Sequence, residues 1–255
     1  MCRLSRHLDH VGVFARSIDD VALLTEVLAG HDPADPDTRP IAKPALLATS
    51  REAPPVAPKF FFVKTAAWPH ITPDAAEAYG ELCRILGAQI EELPLGEAFD
   101  DVAERITCVM NTDLAMNLAR EYRQSASQLS PKLRSMIQKG RMTLATDYIR
   151  ALGSREQYRR ALDDVFDNCN AILTPAAPGE AGPIDNTGNP AFAMLWTLMG
   201  VPAVTIPLLT GTSGLPLGVQ LAARHGDDAR LLRTARWLAD HVAELADAKG
   251  RKRRK

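Results

Sequence analysis

Residues 59–95 read KFFFVKTAAWPHITPDAAEAYGELCRILGAQIEELPL, and this stretch decides the fold class. Its opening, KFFFVKT, is a short apolar and aromatic run between charged residues, the pattern of a buried strand. Thr72 and Pro73 then stand as N-cap and first helical residue, and the helix they open runs to Gly87, a residue suited to stopping it. AQIEELPL (88–95) supplies a second short strand. Strand, helix, strand in this order is the unit of a sheet flanked by helices.

Upstream, Ser17 is a good N-cap with Asp20 three residues on, and Ile18, Val21, Leu24, Val27 and Leu28 follow at helical spacing. Gly30 suits the position just past that helix. A tight turn is expected at Val11-Gly12. The Pro- and Asp-rich stretch HDPADPDTRPIAKPALLATSREAPPVAP (31–58) reads as a long surface excursion.

Downstream, the pattern from about Glu97 to Cys169 is helical, with breaks near Ser130-Pro131 and Gly140. AILTPAAPG (171–179) gives a strand running into a Pro-rich loop. NPAFAMLWTLMG (189–200) reads as a compact helix with Asn189 as N-cap, Pro190 at its first position and Gly200 as stop. AVTIPLL (203–209) and LGVQLAA (217–223) are strands joined by a turn-rich segment. A closing helix starts at Asp227 and places Leu231, Leu232, Ala235, Leu238 and Val242 on one face. The expected class is α/β: a partial mixed sheet flanked by helices, with a helix-rich middle.

The chain has 255 residues, 46% hydrophobic and 24% charged, with a net charge of −1. That balance gives no global steering toward nucleic acid or an acidic membrane. The run Lys249-Gly250-Arg251-Lys252-Arg253-Arg254-Lys255 is locally basic and reads as a disordered, solvated tail rather than a phosphate-binding arm. Cys2, Cys83, Cys108 and Cys169 are scattered without a CxxC pair, so neither a zinc framework nor a disulfide scaffold is indicated. With no run of about eighteen apolar residues and no apolar leader, a cytoplasmic protein is expected.

LDHVGVFARSIDDVALLTEVLAGHDPADP (8–36), LSPKLRSMIQKGRMTLATDYIRAL (129–152), NPAFAMLWTLMGVPAVTIP (189–207) and GLPLGVQLAARHGDDARLLRTARWL (214–238) occur in one order. Together they resemble the carboxy-terminal half of the amidase signature family, from about Leu8 to Ala246. Asn170, where the family commonly has Asp, and Thr197, where many members have Asn, depart from its usual pattern. The resemblance implies an amidohydrolase that cleaves carbon–nitrogen bonds through a Ser–cis-Ser–Lys triad and an acyl-serine intermediate, without metal or organic cofactor. It also implies that the nucleophile, the bridging Ser, the base Lys and the oxyanion-hole amides lie upstream of this segment. Residues 1–248 are accordingly expected to form one incomplete domain, catalytically inactive by itself. The alternative is a pseudoenzyme, or the complementing half of a split amidase.

The residues offer no substitute triad. No G-x-S-x-G elbow is present, and Ser213 sits in a turn. Ser135 and Lys139 are four apart on one helix face, which a solvated surface explains. His7, Asp9 and His10 lack the further ligands a metal needs, and a turn accounts for them. His225, Asp227 and Asp228 read as a helix start, and Cys108 as a small packing residue. No catalytic and no metal residues are therefore assigned. By position in the resemblance, Thr174, Pro175, Met194 and Trp196 are expected to wall an acyl pocket, Trp196 offering an apolar face with one N–H. The partners expected are a small amide, once the missing half is present, and a second copy or partner chain paired through an open sheet edge, with AVTIP and LGVQLAA as the exposed strands. Neither nucleic acid nor membrane is expected.

Overall fold

The computed structural model describes residues 3–252, and side chains as far as residue 248. The end of the basic run, and the side chains of its first residues, lie outside the described residues. The chain divides into two compact units. One is built around a sheet and takes in Gly12–Leu95, Asp163–Phe192 and the chain from Val201 onward; the other is helical and takes in the residues up to Val11, Gly96–Leu162 and Ala193–Gly200.

In the sheet unit, α1 (Ile18–Leu28) and α2 (Leu46–Arg51) come first, then β1 (Phe60–Lys64), α3 (Pro73–Leu86) and β2 (Ile90–Pro94). The strand–helix–strand reading is met, and the two strands run parallel with Phe60 opposite Ile90. Gly87 ends α3 at φ +53°, a backbone conformation that a residue with a Cβ adopts only with strain.

The helical unit follows with α4 (Val102–Asn117), α5 (Ala119–Ser125) and α6 (Pro131–Arg141), and α7 (Ala145–Asn168) begins in it. Then come β3 (Ala171–Pro175), α8 (Ala191–Met199), β4 (Ala203–Thr210), β5 (Pro216–Ala222) and α9 (Asp228–Lys252). The five strands form one mixed sheet in the order β2-β1-β3-β5-β4. β1 is parallel to β2 and β3, while β5 is antiparallel to both β3 and β4.

The sheet's core is aromatic and aliphatic. Phe60 and Phe62, two apart on β1, share a face with Tyr79 and Leu82 of α3 and Leu231, Ala235 and Leu238 of α9. Phe62 stacks on Tyr79 with centroids 6.1 Å apart, and Phe60 on Trp237 at 6.2 Å. Each buried Phe or Leu of this kind stabilises by roughly 1.5–3 kcal/mol. β3 is buried along its whole length, as the central strand of a sheet must be. No helix among the described residues is long and apolar enough to cross a membrane.

In the helical unit Leu114, Leu118 and Ile137 make a small core between α4 and α6. The two helices approach so closely at Gly140 that a Cβ there would lie 1.8 Å from the Asn111 carbonyl oxygen. Glycine at this helix crossing is therefore a packing requirement.

Several expectations are corrected. The turn near the start is at Arg6–Leu8, closed by Asp9 N–H donating to Ser5 O at 2.8 Å, and Val11-Gly12 lies beyond it in irregular chain. The 31–58 excursion contains α2, whose Leu46 is buried with Ala22 and Leu232. Gly30 does not take the left-handed conformation, because the chain leaves α1 in extended geometry at Ala29. α8 starts at Ala191, one residue later than Pro190 implied, while the Asn189 side chain accepts from Ala191 N–H. β5 is an interior strand and only β4, with β2, lies at an edge, because LGVQLAA pairs on both sides. Finally, Leu24, Val27 and Leu28 do not face the core of their unit; the buried residue of α1 is Ala22.

Candidate functional site

Parallel strands present their carboxyl ends on one edge, and in α/β sheets ligands gather there. Thr174 and Pro175 end β3 at that edge, both buried. Their support is built from the neighbouring strand. Gln220 of β5, 6% exposed, donates from Nε2 to Thr174 Oγ1 at 3.1 Å, to the Phe192 carbonyl at 3.1 Å and to the Pro175 carbonyl at 3.4 Å. One buried amide thus joins the end of β3 to the start of α8 inside the sheet unit.

The loop after β3 is held as firmly. Ala176 N–H donates to Gly218 O at 3.0 Å, and the Tyr79 hydroxyl donates to the same carbonyl at 2.5 Å. Burial pushes the Tyr79 phenol well above its ordinary range, so it remains a neutral donor. A Cβ on Gly218 would meet Thr205 at 2.5 Å, so only glycine lets β4 and the loop close around this point. Glu180 Oε1 accepts from Ser213 N–H and Leu215 N–H, both at 3.0 Å, tying the loop to the β4–β5 turn. The turn-bound Ser213 is thus a structural anchor point.

Met194 and Trp196 lie on α8 within the helical unit, apart from the unit that holds Thr174 and Pro175. Trp196 is 2% exposed, and its indole N–H has no hydrogen-bond partner among the described residues. Met194 is half-buried. The carboxyl end of α8 is held by α7: Arg155 Nε donates to Leu198 O at 2.8 Å and Arg159 Nε to Met199 O at 2.5 Å. Cations at a helix carboxyl terminus satisfy its free carbonyls and its dipole.

The sequence reading missed one polar cluster in the helical unit. Asp113 of α4, 2% exposed, accepts from Ser5 Oγ at 2.5 Å and from the Tyr148 hydroxyl at 2.6 Å, with His7 Nδ1 at 3.4 Å. Burial and the donation to Asp113 raise the Tyr148 phenol far above its usual value. Ser5 and His7 both face the carboxylate, and His7 Nδ1 also lies 3.4 Å from the Tyr148 hydroxyl. In the same unit the Tyr158 hydroxyl donates to Asp101, and burial with that bond pushes the phenol up to about 12.

The other sequence candidates fall apart spatially. Asp9 accepts from Leu4 N–H and Ser5 N–H, His10 contacts Leu8 O, and His7 turns to Asp113, so three side chains serve three separate partners. Ser135 and Lys139 are both exposed on α6. Asp227 immediately precedes α9 and its backbone carbonyl accepts from Leu231 N–H, while its carboxylate pairs with Arg230. The Cys108 thiol is raised by burial, which leaves it protonated. Asn170 has a local structural use: its side chain accepts from Lys59 N–H and its own N–H donates to Lys59 O, aligning β3 with the start of β1.

A cavity of about 450 Å³ opens at the opposite end of the parallel strands, lined by Lys59, Phe60, Gln89, Glu91, Asp164 and Asn168. It lies at the amino ends of β1 and β2, away from Thr174 and Pro175.

Comparison with known proteins fits this frame. The amidase family pattern matches residues 1–232. The chain is 30% identical to a glutamyl-tRNA(Gln) amidotransferase subunit of Chloroflexus aggregans, over 89% of this chain and 53% of that protein. It is 26% identical to the subunit of the same name from Koribacter versatilis, over 93% and 56%. Among solved structures, a crystal structure of an amidase superposes with a TM-score of 0.76 at 23% identity, covering 93% of this chain and 54% of that one. The corresponding amidotransferase subunit of Thermotoga maritima superposes with a TM-score of 0.67 at 25% identity, over 92% and 53%. The chain therefore spans about half the length of the relatives it matches. With its five-stranded mixed sheet and a family match over most of its length, the chain belongs to the amidase family, the amidase signature proteins.

Proposed function

We propose that this chain supplies one half of an amidase signature hydrolase, the half that shapes the acyl pocket, and that the nucleophilic Ser, the bridging cis-Ser and the base Lys come from sequence it does not contain. The observation that carries this reading is the family match over residues 1–232 in a chain spanning about half of its relatives. Amide hydrolysis needs an activated nucleophile, a base within reach and donors aimed at the oxyanion. Among the described residues no Ser hydroxyl is bonded to a Lys amine.

In this reading residues 1–248 are one part of a larger domain that works in the cytoplasm on a small amide. In the sheet unit Thr174 and Pro175, fixed by Gln220, are the acyl-pocket candidates; in the helical unit Met194 and Trp196 are the candidates, the indole N–H of Trp196 being a donor open to a substrate acceptor. The partner is the chain or chain segment bearing the Lys and the Gly/Ser-rich stretch. Ammonia release from a panel of aliphatic and aryl amides tests the idea. The 255-residue chain alone should give none, and joining it to an amino-terminal amidase half should restore it. Turnover by the chain alone, persisting after removal of contaminating amidases, would sink the proposal.

A second reading is favoured by the 30% identity with the glutamyl-tRNA(Gln) amidotransferase subunit. There the completed protein acts on glutamyl-tRNA(Gln), and an assay with that substrate separates the two readings. A protein that binds the other half and stays inert with every amide would be the non-catalytic alternative.

A further inference from the structure

The sheet has two faces, and the aromatic core occupies one of them. Along β1, Phe60 and Phe62 turn toward α3 and α9, so Phe61 and Val63 turn to the other side. Phe61 stands opposite Glu91 in the parallel register and Val63 opposite Leu93, which brings Glu91 and Leu93 onto that second face. Between this face and the end of α7 lies the cavity of about 450 Å³, with Phe61, Leu93 and Val165 in its apolar lining and Lys59, Glu91 and Asp164 as its charges. A volume of that order takes a small organic molecule. The charged groups around it differ from their neighbours in having nothing to bind. Asp163 and Asp167, which flank Asp164 on α7, both pair with Arg224, and Glu92 beside Glu91 pairs with Lys64. Glu91, Asp164 and the Lys59 amine make no ion pair and no side-chain hydrogen bond among the described residues. The backbone of Lys59 is pinned, its N–H donating to Asn170 Oδ1 at 2.9 Å and its carbonyl accepting from Asn170 N–H at 2.8 Å.

We propose that this cavity binds a small zwitterion, an α-amino acid with an apolar side chain. Its ammonium group is taken by Glu91 and Asp164, its carboxylate by Lys59, and its side chain lies on Phe61, Leu93 and Val165. The charges decide the class. An anion alone would meet two carboxylates, a cation alone would meet the Lys59 amine, and a neutral apolar molecule would leave all three charges unanswered. A ligand carrying both signs on an apolar body answers every group in the lining. The inference does not rest on the proposed function, since none of these residues is an acyl-pocket candidate.

An NMR titration of the isotope-labelled 255-residue chain tests this, with leucine as the probe. Two truncated probes accompany it: isopentylamine, which keeps the tail and the ammonium, and isocaproate, which keeps the tail and the carboxylate. Leucine should give saturable shifts at residues 59–61, 88–93 and 164–168, and each truncated probe should bind about fivefold or more weakly. Glu91→Gln and Asp164→Asn should each weaken leucine and isopentylamine about three- to fivefold and leave isocaproate no weaker. Lys59→Met should weaken leucine and isocaproate and leave isopentylamine no weaker. All three side chains are exposed, so these variants should melt with the parent chain. A truncated probe that binds as tightly as leucine overturns the zwitterion. Absence of saturable shifts at these residues, or leucine affinity unchanged in Lys59→Met and Asp164→Asn, overturns the site. Leucine bound by the chain alone but not by the chain joined to an amino-terminal amidase half assigns the cavity to that half and also overturns the proposal.

Discussion

The sheet unit and the helical unit are held together by different physics. In the sheet unit the core itself is apolar and generic, with Phe60, Phe62, Leu173, Val219, Leu221, Leu231 and Leu238 filling the space around the strands and specific contacts, such as the steric fit at Gly218, set at its margins. Substitution by another hydrophobe of similar size there costs about 1.5 kcal/mol or less. The helical unit has a smaller apolar core and relies on two specific devices, the close approach at Gly140 and the carboxylate of Asp113 buried among hydroxyls. The difference teaches where the chain tolerates change. An apolar core degrades gradually; a steric fit or a buried polar cluster fails at one atom.

The sharpest way to break the comparison is Gly140→Ala. A methyl 1.8 Å from a backbone oxygen on another helix cannot be relieved by a rotamer change, so α4 and α6 must separate. A loss of about 3 kcal/mol is expected. Urea denaturation measures it, and hydrogen exchange locates it. Faster exchange confined to α4 and α6 supports separate devices in the two units, and equal acceleration in β1, β3 and β5 would mean that they unfold as one.

Asp113→Ala comes next. It strips the acceptor from the Ser5 and Tyr148 hydroxyls, leaving buried donors unpaired at a cost of about 2–3 kcal/mol. The segment around Ser5 should lose exchange protection first, since it depends on that carboxylate. A change below about 0.5 kcal/mol would show that water replaces the carboxylate and that the cluster is not a fastening.

Gln220→Leu asks how much one buried amide contributes in the sheet unit, beside the steric fit at Gly218. The substitution is close in volume and sits in an otherwise apolar strand, yet it removes the buried donor to the Phe192 carbonyl and to Thr174 Oγ1, leaving the Thr174 hydroxyl with only its own donation to Pro175 O. A loss of about 1–2 kcal/mol is expected, with strand exchange elsewhere little altered. In a completed amidase the same variant should raise KM through displacement of Thr174 and Pro175. A stabilised protein with unchanged KM would remove Gln220 from the site.

These residues also show what could be read from the chain. The run 59–95 was legible because its signals are local: an aromatic strand, Thr-Pro to open a helix, a glycine to close it. The family order placed Thr174, Pro175, Met194 and Trp196 without fixing their contacts. Gln220 carried a signal, a lone amide within LGVQLAA, that asked for a partner and went unread. Asp113 carried none, since Ser5 and Tyr148 stand 108 and 35 residues away. On α1 the helical spacing was right but periodicity does not say which apolar side chains find a partner in the same unit, and Leu24, Val27 and Leu28 do not.

The smallest effect is the opposite in sign. Gly80 lies in the exposed interior of α3, and a Cβ added there meets nothing within 4 Å. Gly80→Ala should therefore stabilise by about 0.5–1 kcal/mol, mainly by narrowing the unfolded chain's freedom. The same chemical change that wrecks a helix crossing at position 140 strengthens a helix at position 80, so side-chain propensity does not distinguish the two. A urea midpoint that rises with unchanged slope checks this. If Gly80→Ala proved neutral or harmful, something covers that face of α3 in solution, and the sheet unit would hold a further steric fit besides the one at Gly218.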